Sequence, residues 1–349
     1  MKREGAFSVK IDDTKLKEMF EVDEKLIIFG MNTISRMQLA EEIDPKKTNP
    51  ALPHNCIKMY NVGTSDLFVS GIFIQFAKML KQSVFKKHLN KKQIIHLMFE
   101  CMKHLIACER TYNELVDKIN AAIDNFDQSA YLKSTVVTNL PFIEGLEETV
   151  KIFFISQAGH FYRDTIALIK EFFSDKMSNK QKREIGDKKL NKLIDWSSSK
   201  FGDIDKFTEY LHQEHNNWVK KFVVMRNKLE HPDSNEFVEI LNFRMLPTQE
   251  VSPPSIKLHH KDFTCENNEN LVLLLHSYIQ NLYIFYENVL LFCIKKNIGV
   301  EDFSQFYEIY RIQDDKIDIE CPIRYVLEFD SAMFFTQVKK NQEKNKAGK

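Results

Sequence analysis

The sequence predicts a mainly α-helical fold, and three observations predict it. Only 10 Gly and 9 Pro punctuate 349 residues, too few for a turn-rich β architecture. Lys, Glu, Leu and Ile, which sustain helices, recur throughout. Apolar residues also repeat at helical spacing over 66–81, 91–126, 141–173, 205–231 and 267–297.

Length and charge set the outer limits. A chain of 349 residues exceeds a typical single domain, and 43% hydrophobic residues are ample for packed cores. Lys plus Arg and Asp plus Glu both number 49. No global field therefore recruits nucleic acid, and any RNA contact must rest on local patches. Six cysteines, at 56, 101, 108, 265, 293 and 321, show no C-x-x-C spacing, and no secretory leader opens the chain. A reducing cytoplasm is the expected compartment. No apolar run reaches the length of a membrane span; residues 271–294 include His276, Gln280, Asn281, Glu287 and Asn288 and read as a buried helix.

The elements follow in order. Leu26 to Phe29 and Ile57 to Val62 are short strands divided by the loop 44–53. Helices follow over 66–81 and 91–126, the latter with Leu97, Cys101, His104, Leu105 and Cys108 near one face. Two thiols and an imidazole suggest metal, yet no fourth ligand accompanies them and buried thiols are common on apolar stripes. Asn139 before Pro141 predicts a helix start, with Glu144, Glu147 and Glu148 near its positive end. The apolar pattern runs to Phe173, long enough for two helices or one kinked near Gly159. Residues 175–200 mix Lys176, Lys180, Lys182, Arg183, Lys188, Lys189 and Lys192 with four acids, Asp175, Glu184, Asp187 and Asp195. This is either a solvated face or an RNA-backbone contact surface carrying Lys182, Arg183, Lys188 and Lys189. Asp203 or Asp205 caps the next helix. His212 and His215 sit three apart on it without a third ligand, and neither is assigned a metal. Phe237 to Met245 with Ile256 to His260, and Phe306 to Ile312 with Ile317 to Phe329, are strand-turn-strand patterns. The tail from 336 is polar and expected to be disordered.

One stretch carries chemistry: Met225-Arg226-Asn227-Lys228-Leu229-Glu230-His231-Pro232. At about 100° per residue, Trp218, Phe222, Met225 and Leu229 form one apolar stripe. Arg226 lies beside it, with Asn227 and His231 round the back. Val219, Val223 and Val224 make the other flanks apolar too, which predicts a second covering surface, another domain or a second copy of the chain. Pro232 ends the helix and leaves the imidazole near a permanent cation, a pair suited to phosphate chemistry. On the same count His215 falls above Arg226 and would line the same groove.

Arg226-Asn227-x-x-x-His231 resembles the R-x4-6-H signature of the HEPN superfamily in its common Arg-Asn form. The resemblance covers residues 140–300. It implies a HEPN-like helical bundle over 139–335 with small β-hairpin additions, preceded by a mostly helical N-terminal domain over 1–138. It also implies a metal-independent endoribonuclease of a toxin-antitoxin, abortive-infection or other antiviral defence system, without cofactor. The chain would act as a homodimer on RNA, with an antitoxin or another defence protein as a further partner. Arg226, Asn227 and His231 would be catalytic. The branch paired with nucleotidyltransferase antitoxins carries a Tyr two residues after the His, and Asp233 stands there in this chain. A second reading, a non-catalytic RNA- or protein-binding scaffold or sensor, uses the same bundle. The absence of G-x-x-x-x-G-K-[ST], G-x-G-x-x-G, H-E-x-x-H and G-x-S-x-G removes support for nucleotide hydrolases, dinucleotide enzymes, zinc proteases and common serine hydrolases.

Overall fold

Asp23 and Glu24 both adopt positive φ, 51° and 62°, the backbone of a two-residue type I′ hairpin turn. They join β1 (Leu16–Val22) to β2 (Lys25–Gly30) in an antiparallel pair with Val22 opposite Lys25. With β3 (Ile34–Gln38) and β4 (Asn55–Tyr60) the strands form a four-stranded antiparallel sheet in sequential order. The mainly α expectation is therefore corrected. The protein is mixed α and β, 55% helical and 18% strand, with an N-terminal antiparallel sheet in place of a mostly helical start. The computed structural model describes residues 16–49, 51–82, 84–85, 89–133, 139–186, 189–264, 268–299, 306–331 and 333. The tail expected to be disordered lies outside the described residues.

Two compact units divide the chain, and neither is continuous in sequence. The first comprises residues 1–99, 171–174 and 290–349. Its sheet buries Phe20 and Phe29 against Phe73 and Phe99, with ring centroids 5.1 Å apart for Phe29–Phe73 and 5.5 Å for Phe73–Phe99. The hairpin of Tyr307–Arg311 with Tyr325–Phe329 forms, with its second strand starting at Tyr325 and not at the predicted Ile317. It is tied in by the buried Gln75, whose Oε1 accepts from the N–H of Arg324 at 2.6 Å and of Tyr325 at 2.8 Å. That side chain thus satisfies two backbone donors that would otherwise be orphaned.

The second unit comprises residues 100–170 and 175–289. One helical run, 146–172, starts at Leu146 after Gly145 (φ 70°), later than the predicted start at Asn139. The reason is tertiary: Asn242 donates to the Ile143 carbonyl at 2.9 Å and accepts from the Ile143 N–H at 3.2 Å, holding the chain there outside a helix. A second run, 206–230, starts at Asp205, whose carboxylate accepts from the Phe207 N–H at 3.1 Å. Its stripe packs as predicted. Trp218, Phe222, Met225 and Leu229 are buried, and Phe222 lies 5.3 Å from Tyr278 and 5.9 Å from Phe154 and Tyr162 between ring centroids. Removing so central a ring costs about 3–5 kcal/mol. The hairpin of Phe237–Leu241 with Ser255–His260 follows, Phe237 opposite His259. Among the described residues no helix is long and apolar enough to cross a membrane.

Both runs contain a π-helical turn, at Ile152–Gln157 and at His215–Val219. Such turns shift the face that every later residue presents.

Candidate functional site

The run 206–230 ends as the proline requires. His231 leaves the helix at φ −135°, ψ 72°, because Pro232 disfavours helical geometry in the residue before it. Its N–H still closes the last turn on the Asn227 carbonyl at 2.7 Å. The imidazole is 80% exposed, with Nε2 3.7 Å from Glu230 Oε2. The loop beyond is pinned by Asp233, which accepts from the N–H of Asn235 at 3.0 Å and of Glu236 at 2.7 Å and from Lys228 Nζ at 2.6 Å. These bonds, Lys228 first, hold the Asp233 carboxyl down at about 2.

Arg226 differs from His231 in its surroundings. Its side chain is only 12% exposed; Nη2 donates to Glu230 Oε2 at 2.6 Å and Nη1 to Asn227 Oδ1 at 3.0 Å. Asn227 therefore orients the guanidinium. Its side chain packs over Gly159: a Cβ there would be in ordinary contact with it, 3.6 Å from Arg226 Nε and 3.7 Å from Cγ, but only 2.7 Å from the Phe154 carbonyl oxygen. A real Cβ does not fit that close to a backbone oxygen, so it is the carbonyl of the π-turn, and not the arginine, that calls for glycine here.

Next to Gly159 begins a cluster that sequence reasoning missed. His160, Arg163 and Asp164 share one face of the helix at spacings of three and four. Asp164 Oδ1 accepts from Arg163 Nε at 3.2 Å, and Oδ2 lies 3.3 Å from His104 Nε2. The rings of His104 and His160 meet edge to face at 5.4 Å. Burial works to raise the Asp164 pKa, yet the bonds from His104 and Arg163 outweigh it and the net shift is downward. For His160, burial comes first and the charges of Arg163, His104 and Arg226 add to it; all lower its pKa, and Asp164 only partly opposes them. The i, i+3, i+4 spacing was legible in the sequence. Its meeting with Arg226 and with His104 from Lys91–Asp124 was not, because those contacts are tertiary.

Other expected residues fall elsewhere. The π-turn at His215–Val219 inserts about one residue into the helix, a rotation of about 100°, and so turns His215 away from the direction of Arg226 that an unbroken α-helix gives. The His215 ring lies 3.4 Å from Asn216 Oδ1. Lys182 is half-buried, Arg183 donates to the Asn179 carbonyl at 3.2 Å, and Lys189 is exposed at the start of Leu190–Phe201. Neighbouring Lys192 pairs with Asp195 at 3.2 Å. No contact joins these residues to Arg226 among the described residues, and Lys188 lies outside them. Cys101 and Cys108 are fully buried, and burial pushes both thiols up. Among the described residues, no three His, Cys, Asp or Glu side chains come together as a metal site would need. The stripe of the motif helix is buried within the single chain, and Val223 and Val224 are half-buried. Little apolar area is left on that helix for another copy to cover.

Comparison with models of protein families, with curated proteins and with solved structures found no match for this chain.

Proposed function

We propose that this protein is a metal-independent endoribonuclease of the HEPN type, acting in the cytoplasm within a toxin-antitoxin, abortive-infection or other defence system. The observation that carries the reading is the end of the run 206–230: a guanidinium that Asn227 orients and that pairs with Glu230, about one turn before an imidazole that is 80% exposed. Arg226 binds the scissile phosphate and stabilises the charge that builds on it in the pentacoordinate state. His231 moves a proton. The RNA supplies its own nucleophile, the 2′-OH, which is absent from DNA. The π-turns in both helices that border Arg226 fit this reading, since such turns recur at functional sites.

The test is cleavage of RNA in excess EDTA. The expected products carry 2′,3′-cyclic phosphate and 5′-hydroxyl ends, DNA is spared, and a 2′-deoxy residue at the cut site blocks the reaction. A requirement for Mg²⁺ or Mn²⁺, or 5′-phosphate products, overturns the reading. A homodimer belongs to the same proposal, and mass photometry at micromolar concentration tests it. One observation favours the second reading, a non-catalytic scaffold: Arg226 is already paired with Glu230, as in many structural i, i+4 ion pairs. Growth arrest on expression, relieved by His231→Ala, separates the two.

A further inference from the structure

We propose that His160 takes the proton of the 2′-OH in this reaction, so that a single chain carries both proton-transfer groups, with His104 and Asp164 as positioning residues behind it. The inference rests on the reading of Arg226 given above and deepens it.

Three features place His160 in that role. First, it follows Gly159, the residue over which the Arg226 side chain packs, with Nε 3.6 Å from where a Cβ would stand, and the Arg226 charge is among those that act on it. Second, its ring is packed on one side. His104 stands edge-on to it at 5.4 Å, and His104 is itself fixed at 3.3 Å by Asp164, which also holds Arg163. A base whose neighbours are this well ordered loses little orientation entropy on the way to reaction. Third, the charged and titratable groups facing it favour the neutral ring. Arg163 on its own helix, His104 on Lys91–Asp124 and Arg226 on Lys220–Glu230 oppose its protonation, and only Asp164 favours it. An imidazole that stays neutral at physiological pH is ready to accept a proton. His231, 80% exposed at the helix end, is the group assigned to give one.

The step balances without any further reactant. His160 accepts the 2′-OH proton, the 2′-oxygen bonds to phosphorus, the bond from phosphorus to O5′ breaks, and O5′ takes a proton from His231 imidazolium. The products are a 2′,3′-cyclic phosphate and a 5′-hydroxyl, and the two imidazoles exchange protons with solvent to reset.

The experiment compares His160→Ala, His160→Gln, His104→Ala and His231→Ala with the wild type in the full chain. The substrates are an oligoribonucleotide and its analogue with a 5′-bridging sulfur, whose leaving group needs no protonation. Both His160 variants are expected to lose roughly a hundred- to ten-thousand-fold in kcat/KM, with melting temperatures like the wild type. They should also lose the acid limb of the pH profile and gain nothing from the sulfur analogue. His231→Ala should recover on that analogue, and His104→Ala should move the acid limb upward without removing it. His160 variants within threefold of wild type, while His231→Ala is inactive, overturn the inference and leave the reading of Arg226 intact. Recovery of the His160 variants on the sulfur analogue overturns the assignment of His160 as proton acceptor. Full activity of Arg226→Ala and His231→Ala overturns the underlying reading.

Discussion

Glu230 is the residue whose replacement discriminates best, because its carboxylate occupies the guanidinium that a phosphate would need. Glu230→Gln keeps the shape and an acceptor for Arg226 Nη2, at 2.6 Å in the present pair, but removes the charge. Arg226 stays charged, so the bond to the amide remains charge-assisted; what is lost is the attraction between two full charges, about 1 kcal/mol at most near the surface. Glu230 is 33% exposed, and solvent screening reduces this loss to about 0.5–1 kcal/mol. The variant should therefore melt about 1–3 °C lower. The same free energy opposes phosphate binding in the wild type, so its removal should tighten RNA affinity about two- to fivefold. Fluorescence anisotropy with an oligonucleotide made uncleavable by a 2′-deoxy residue reads the affinity, at one fixed salt concentration. A tenfold weakening refutes the reasoning: Glu230 would then be holding Arg226 in its working pose and not competing with the substrate.

The remaining predictions concern the groups around it. His231→Ala should change stability by no more than about 0.5 kcal/mol, as for most exposed positions. Arg226→Ala loses both its ion pair and its packing over Gly159 and should cost about 1–2 kcal/mol in denaturant titrations; a larger loss in His231→Ala would make the imidazole structural. Gly159→Ala gains about 1 kcal/mol of helix propensity. It also forces a Cβ to within 2.7 Å of the Phe154 carbonyl, an overpacking worth about 1–3 kcal/mol; the variant should thus be less stable by up to about 2 kcal/mol, and a rise in melting temperature would contradict the close approach. The Asp233 carboxyl, held at about 2, lies below its unfolded value of about 3.9. Its contribution is thus complete above that value and lost as pH falls through about 2. Lys228→Ala should move its NMR titration midpoint upward, and an unmoved midpoint would assign the whole shift to the backbone amides. If single-stranded RNA meets only Arg226 and Arg163, log affinity should fall with log salt at a slope of about −1.4; a slope steeper than about −3 would bring Lys182, Arg183 and Lys189 into the interface.

How legible the fold was depended on whether a signal was local. The stripe Trp218, Phe222, Met225 and Leu229, the proline stop and both hairpins beyond residue 236 were readable because period and turn residues lie within a few positions of each other. The N-terminal sheet was half readable. Its first turn uses Asp23-Glu24, which reach positive φ without the Gly or Asn that marks a type I′ hairpin. Its first strand carries Lys17, Glu18 and Glu21, which favour helix on propensity. Packing of Phe20 and Val22 into the core overrides that propensity. The helix start at Asn139 failed for a different reason, a reciprocal bond to Asn242 about a hundred residues away.

The candidate site divides along the same line. Arg226, Asn227 and His231 are neighbours on one helix end, so their proximity follows from the spacing. The surroundings of Arg226 do not, because they depend on two π-turns. Each adds about one residue to a helix and rotates everything after it by about 100°, and no apolar period announces it. One of them turns His215 away from Arg226. The other puts the Phe154 carbonyl where only a glycine fits, at the residue over which the Arg226 side chain packs. Arg163 and Arg226 each meet a carboxylate, Asp164 and Glu230. The cluster is thus close to neutral in charge, in keeping with a chain of zero formal net charge. An anion therefore has to be recognised by exchange with those carboxylates and by the geometry of its own oxygens, and not by long-range attraction. That is the physical reason why composition said nothing about this site and why the test falls on Glu230 and His160.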